Sequence, residues 1–284
     1  MTYMIHGATG AQGAPVVASL TAAGKPVTAL TRDAGAVVDG ARVLAVDYSS
    51  TTDLTEAYRG AEGVFVHLPV APEEDRLTFA RNVVAAVREA RPARVVFSTS
   101  GAIVHPDGDG SDGTATSVLA AGLADSGVSH AVIEPRFYLE NLLLPHVIAG
   151  VQEEGVLRYS LPSGFPASWA SHLDIADAAT ALFERTDITG VVSVGQYPGV
   201  SGEQLAEAFS TRLGRTVVYE AADPHAFFAP LAPILGEQAT ADIVNMYRAV
   251  GTQPDHSITA ERSAQKRIGV TPRTTGQWLA GIDL

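Results

Sequence analysis

The sequence predicts an α/β protein: a doubly wound parallel sheet followed by a smaller C-terminal α/β region. Three observations predict it. Strand-like and helix-like stretches alternate with a short period through the first 100 residues, and strands separated by helices pair in parallel through right-handed crossovers. The strand-like stretches are apolar at most positions instead of alternating, as expected when helices cover both faces of a sheet. A glycine-rich turn stands between the first strand and the first helix.

Taken in order, Tyr3–His6 is the first strand. Pro15–Ala23 reads as a helix, with Val16, Val17, Leu20 and Ala23 on its apolar side and a stop at Gly24. Val27–Leu30, Val43–Val46 and Val64–Val66 are the next strands. The spacing of Phe79, Val83, Val84 and Val87 predicts an amphipathic helix over Thr78–Ala90, and Val95–Phe97 is the fifth strand. Residues 105–114 are nearly all turn formers. A calcium loop fails there, because Asp112 stands where the turn Gly belongs and Val118 where the Glu belongs, so a surface loop is expected. Ser117–Asp125 then looks helical, Val128–Ile133 extended, and Leu139–Val151 helical with an interruption near Pro145.

Beyond residue 150 the rhythm changes. Prolines and glycines cluster at Leu161–Pro166, a helix begins near Asp174, and Val191–Val194, Gly202–Leu213 and Thr216–Tyr219 read as strand, helix and strand. Ala239–Ala249 is helix-like. The expected division is a nucleotide-binding domain over 1–150 and a smaller substrate-side region over 151–284, interleaved with it and without a clean linker.

Composition narrows the function. Of 284 residues, 46% are hydrophobic and 18% charged, the make-up of a packed globular chain. The net charge is −12, spread evenly: ten basic against sixteen acidic residues over 1–150, nine against fifteen beyond. Nucleic-acid affinity comes from Lys and Arg on phosphates, and the only lysines are Lys25 and Lys266, so DNA or RNA is not expected as a partner. The absence of cysteine excludes disulfides, thiolate metal sites and a Cys nucleophile. No cation precedes Lys25 and no apolar run approaches the roughly 18–20 residues that span a bilayer, so a cytoplasmic protein without membrane contact is expected. The eight histidines include no i, i+4 pair with a Glu, so no metal site is expected, and no Gly-x-Ser-x-Gly turn occurs.

The informative segment is His6-Gly7-Ala8-Thr9-Gly10-Ala11-Gln12-Gly13. Gly7 permits a tight turn, Gly10 lets the backbone approach a pyrophosphate, and Gly13 lets the helix pack close to the sheet. The helix start then presents free N–H groups and a positive dipole end to an anion. Three glycines alone are a weak signal, and the alternative is a turn that merely connects two elements. Here the triplet lies between a strand and a helix, about 20 residues before a second strand, which is the context the motif needs. That second strand ends in Thr31-Arg32-Asp33. Arg32 suits a ribose 2′-phosphate, or it is a solvated surface residue; Asp33 keeps a 2′-hydroxyl in play. Asp47 and Tyr48 either border the adenine or cap a helix.

With these residues in view, the sequence resembles the NmrA-like family, atypical members of the short-chain dehydrogenase/reductase superfamily. The likeness runs through Gly7–Gly13, Thr31-Arg32, Leu68-Pro69, Ser98-Thr99-Ser100, the segment Pro135-Arg136-Phe137-Tyr138-Leu139-Glu140-Asn141, and Asp174-Ile175-Ala176-Asp177-Ala178-Ala179. The resemblance implies a Rossmann-type domain that prefers NADP(H), with NAD(H) the alternative. It assigns Gly7, Thr9, Gly10, Ala11, Gln12, Gly13, Thr31 and Arg32 to the cofactor. Leu68, Pro69, Ser98, Thr99 and Ser100 fall to its nicotinamide side, and Phe137 and Tyr138 to the loop over the ring. For Leu68, Pro69 and Phe137 the alternative is ordinary packing. Asp174 and Asp177 read best as helix-capping acids.

The departures matter. No Tyr is followed four residues later by Lys, and the position where many relatives carry a Lys holds Thr116, with Ala120 where a Glu follows. Glu134 and Arg136 replace the family's Arg and Gly around Pro135. A Lys at such a place holds the cofactor ribose and lowers a Tyr pKa, so its loss leaves binding expected and catalysis open. Candidate proton donors are Tyr138, His105 and Tyr159; against this, Tyr138 reads as a partly buried aromatic and His105 as a solvated loop residue. Two functions stand: an NADPH-dependent reductase of a small apolar carbonyl or quinone-like substrate, with Tyr138, Phe165 and Trp169 lining its pocket, or a non-catalytic NADP(H) sensor that acts through a protein partner.

Overall fold

The structure, a computed structural model, describes residues 2–104 and 112–284. The chain divides into two compact units: Met1–Pro135 with His172–Val194 and Glu261–Val270, and Arg136–Ser171 with Gly195–Ala260 and Thr271–Leu284. The division expected after residue 150 therefore falls after Pro135, where the sixth strand ends. The later segments 172–194 and 261–270 belong to the first unit because they supply its last strand and two of its helices.

The first unit runs β1 (Tyr3–His6), α1 (Gly13–Ala22), β2 (Val27–Thr31), β3 (Arg42–Ala45), α2 (Thr51–Tyr58), β4 (Gly63–His67) and α3 (Glu73–Ala90). It continues with β5 (Val95–Ser98), α4 (Ala115–Ala124), β6 (His130–Pro135), α5 (His172–Glu184), β7 (Gly190–Val194) and α6 (Ala264–Ile268). The seven strands are ordered β7-β6-β5-β4-β1-β2-β3, and every neighbouring pair is parallel. This is a Rossmann-like doubly wound sheet. The strand order reverses at β1, which pairs with β2 on one side and β4 on the other, Ile5 lying opposite Ala29 and Phe65. Open α/β sheets bind ligands at the carboxyl ends of the strands at such a switch point.

Burial explains the apolar strands. Met4, Val64, Val66, Val95 and Phe97 pack with Leu54, Val83 and Leu119 of α2, α3 and α4. The alternate residues Ile5, Phe65 and Val96 are equally buried. They turn to the other face, where Tyr3 meets Phe183 of α5 edge-on at 5.0 Å. Only the edge strand β3 leaves residues exposed, Arg42 and Ala45 among them. Helix α3 begins earlier than the apolar spacing predicts, because Glu73, Glu74 and Asp75 fill its first turn, where carboxylates complement the dipole. Asp174 does the same in the first turn of α5.

In the second unit Val156–Tyr159 pairs in parallel with Val218–Ala221, and Phe137–Tyr138 with Trp169–Ala170. The helix expected over Leu139–Val151 is broken into three pieces: a 3-10 turn at Leu139–Leu143, an α-turn at Pro145–Ala149 and a π-turn at Gly150–Glu154. Phe137, Tyr159, Trp169, Phe227 and Tyr247 form an aromatic core with the helices Gly202–Leu213 and Glu237–Gly251 around it.

Candidate dinucleotide site

The site grows from the turn after β1. Gly7 has φ +58, and a Cβ there would lie 2.2 Å from His67 Nε2 at the end of β4. A Cβ on Gly13 would lie 2.2 Å from the Gly7 carbonyl oxygen, so α1 starts directly against the end of β1. Gly10 is less confined, its nearest neighbour being the Gly7 oxygen at 3.2 Å, and it is exposed. No side chain caps α1 and no acid stands in its first turn, which leaves the helix start to an anion.

The turn opens on a groove of about 1030 Å³. His6, Gly7, Thr9, Gly10, Thr31, Arg32, Asp33, Asp47, Tyr48, His67, Pro69, Asp75 and Phe79 line it, all from the first unit. Arg32 is exposed and forms no ion pair within 4 Å among the described residues. It is the only cation in a lining that also holds Asp33, Asp47 and Asp75. Asp47 accepts the Ser49 amide at 2.8 Å and the Ser49 hydroxyl at 2.6 Å, which keep its carboxyl below the usual range. The cap of α2 is Ser50, whose hydroxyl accepts the Asp53 amide. Asp47 and Tyr48 thus line the groove and cap nothing.

Beneath the groove lies a polar aromatic layer that the sequence reading missed. His6 is fully buried, shares a 2.7 Å hydrogen bond with Tyr58, and lies 4.7 Å from the Tyr48 ring at a 43° tilt. The Tyr48 hydroxyl donates to the His67 carbonyl at 2.8 Å, tying the loop after β3 to β4. Burial, with His67 beside it, pushes His6 down to about 3. His67 is lowered too, chiefly by burial. Both rings are neutral at pH 7 and add no positive charge to the groove. Only the position of His67, at a strand end just before Leu68-Pro69, hints at its place.

The remaining candidates divide by location. Leu68 is buried, and Ala11 is exposed on the turn. Gln12 is bound to the end of β5, its amide meeting both Ser98 and Ser100, and Thr99 is buried between them. Thr116 is buried and accepts an N–H from Arg76 of α3 at 3.4 Å; Ala120 packs in the core between α3 and α4. Glu134, also buried, accepts the Val104 amide at 2.7 Å and faces Arg262 at 3.4 Å. Phe137, Tyr138, Phe165 and Trp169 belong to the second unit. There Tyr138 is half-buried, while Phe165 and Trp169 are spent on the aromatic core, Trp169 lying 5.2 Å from Phe137. Tyr159 is a poor proton donor: burial pushes it up to about 12, and its hydroxyl is 2.6 Å from that of Tyr247. His105 lies outside the described residues. Among the described residues no group of three metal-ligating side chains gathers, and no helix is long and apolar enough to cross a membrane.

A parallel sheet with a glycine turn and a groove at its switch point defines an α/β protein of the Rossmann-like class. The chain belongs to the NmrA-like family, whose model matches residues 2–279. No curated protein matches it in sequence. In fold it is similar to a nucleoside-diphosphate-sugar epimerase from Staphylococcus aureus, at 20% identity and a TM-score of 0.79 over 98% of this chain and 99% of that one. It is also similar to an NADPH-dependent quinone oxidoreductase from Escherichia coli solved with NADPH, at 21% identity and 0.72 over 98% and 99%. A triphenylmethane reductase from Citrobacter sp. solved with NADP(H) matches at 19% and 0.76, over 99% of each chain.

Proposed function

We propose that the groove of the first unit binds NADP(H), with NAD(H) the weaker alternative, and that the protein is a reductase of a small apolar carbonyl or quinone-like compound. The observation that carries the cofactor reading is the cradle. Methyl groups at Gly7 and Gly13 would strike His67 and the Gly7 carbonyl, so these glycines let α1 start hard against the sheet end, and the exposed Gly10 lines the groove where a bisphosphate can meet the backbone. Arg32, free of any acid partner among the described residues, meets the 2′-phosphate at the groove's far end. Tyr48 and Phe79, 5.5 Å apart, offer aromatic surface to the adenine.

When bound, the cofactor supplies a hydride. A quinone takes its protons from water or a loosely placed donor, so a reductase of this class does without the Tyr and Lys relay that this chain lacks. The quinone oxidoreductase and the dye reductase among its structural neighbours support that direction. Tyr138 is the proposed donor for a carbonyl substrate, tested by Tyr138→Phe. The sensor reading, with a protein partner, is favoured by one observation: Thr116, where relatives place a Lys, is turned into the α3–α4 packing. Stopped-flow loss of NADPH absorbance against a panel of quinones separates the two. Tight NADPH binding with no oxidation by any acceptor would sink the reductase; no binding of either dinucleotide at millimolar concentration would sink both.

A further inference from the structure

Three side chains form a hydrogen-bonded chain from the dinucleotide turn to the end of β5. Ser98 Oγ donates to Gln12 Oε1 at 2.7 Å, and Gln12 Nε2 donates to Ser100 Oγ at 2.8 Å. Its two ends differ: Ser98 is fully buried, whereas Ser100 is exposed. The chain also has a direction. A hydroxyl has one proton to give, and Ser98 gives its own to Gln12. Ser100 receives from Gln12, so its proton is left to point away from the chain. Ser100 is held at φ +59 and is followed by Gly101 at φ +102. A left-handed backbone is costly for a serine and persists where the surroundings fix it. Here it turns the residue out of the strand instead of letting it follow Ser98 inward.

We propose that Gln12 is a positioning residue, which fixes Ser100 as a hydrogen-bond donor to a carbonyl oxygen presented at the end of β5. Gln12 then acts on the ligand through Ser100 and not by touching it. The dinucleotide reading, on which this rests, offers two sources of that oxygen: the carboxamide of the nicotinamide, and the carbonyl of an oxidised substrate. Without Gln12 the Ser100 hydroxyl is free to rotate, and its donor direction is lost.

The test is a double-mutant cycle on the full chain, with NADPH affinity by isothermal titration and kcat/KM for a quinone acceptor as readouts. Ser100→Ala and Gln12→Met are each expected to lose about tenfold, and the double variant no more than either alone. A loss of NADPH affinity (a higher Kd) assigns the oxygen to the carboxamide; a loss in kcat/KM at unchanged Kd assigns it to the substrate. Affinity for 2′,5′-ADP, which has no nicotinamide, stays unchanged in Ser100→Ala. Ser98→Ala supplies an independent route should Gln12→Met fold poorly. Its side chain is fully buried, yet the chain predicts a smaller loss of the same kind. Losses that multiply in the double variant, or variants that match the wild type, overturn the proposal while leaving the dinucleotide reading intact. Absence of NADPH binding by the wild type removes both.

Discussion

Gly13→Ala tests how closely α1 must approach the sheet. The added methyl would lie 2.2 Å from the Gly7 carbonyl oxygen, 2.5 Å from its carbon and 2.6 Å from the His6 oxygen. All three are backbone atoms, so no rotamer relieves the overlap, and the helix start must retreat by about 1 Å to restore ordinary contact. Overpacking of this kind costs about 1–3 kcal/mol. Three backbone overlaps put the cost at the upper end of that range, about 3 kcal/mol; alanine returns up to about 1 kcal/mol as the better helix former, so a net loss of about 2 kcal/mol remains. The retreat also draws the amides of α1 from the phosphates, and losing a charge-assisted hydrogen bond weakens NADPH at least ~tenfold. Gly10→Ala is the contrast. Its methyl meets one atom at 3.2 Å and otherwise faces open groove, so stability should shift by less than about 0.5 kcal/mol, while NADPH weakens as much. Urea unfolding and isothermal titration, run together on both variants, separate fold from ligand. A Gly13→Ala protein as stable as the wild type refutes the close approach. Unchanged NADPH affinity in Gly10→Ala refutes the path of the bisphosphate.

Arg32→Ala should weaken NADPH by about 1.5–3 kcal/mol and leave NADH nearly unchanged, measured by titration; equal losses refute the 2′-phosphate role. For His6, the fold holds the imidazole at about 3, below the ~6.5 of an unfolded chain. Above pH 6.5 neither state is protonated there; below it the unfolded chain takes up a proton that the folded chain refuses, so stability falls with pH until about 3. From this site the loss is about 2 kcal/mol at pH 5. The drop between pH 7 and pH 5 in urea unfolding should shrink by that amount in His6→Gln, and an identical drop in both proteins refutes the assignment. Arg94, buried, donates to the carbonyls of Leu182 and Ile188 and to the Ser129 hydroxyl, closing the end of α5. Arg94→Met should cost about 3 kcal/mol by leaving those groups unpaired, and Arg94→Lys should not restore it, since an ammonium lacks the guanidinium's fork. Full recovery in Arg94→Lys denaturation would count against this.

What was legible in the sequence is what local chemistry fixes. Strands β1, β2, β4 and β5 show as apolar runs because both faces are covered, and the glycine turn shows because its steric demands involve neighbours in the chain. Helix α2 does not show in the apolar spacing because its apolar face is short, although Ser50 followed by Asp53 three residues on is a capping signal that marks its start. Residues whose role depends on which strand ends meet were out of reach. His67 touches Gly7, and Gln12 bridges Ser98 and Ser100, only because β4 lies between β1 and β5. The aromatic segment from Tyr159 to Trp169 is ambiguous for a related reason. A run of aromatics reads alike whether it faces a ligand or a core, and here Tyr159 and Trp169 pack edge-on at 5.2 Å inside the second unit.

The charge of the chain bears on how such a site works. A protein of net charge −12 repels an anionic dinucleotide at long range. The groove does little to offset this with side chains, since Arg32 stands against three carboxylates and both histidines are neutral. The attraction must therefore come at short range, from peptide N–H groups at the start of α1. Such groups act only on a phosphate in contact with them, and that contact exists only if the backbone is bare. The bare backbone at Gly10, with α1 brought close by Gly7 and Gly13, thus stands in for lysines that this groove lacks: it lets fixed dipoles do at contact distance what mobile cations do elsewhere through the solvent.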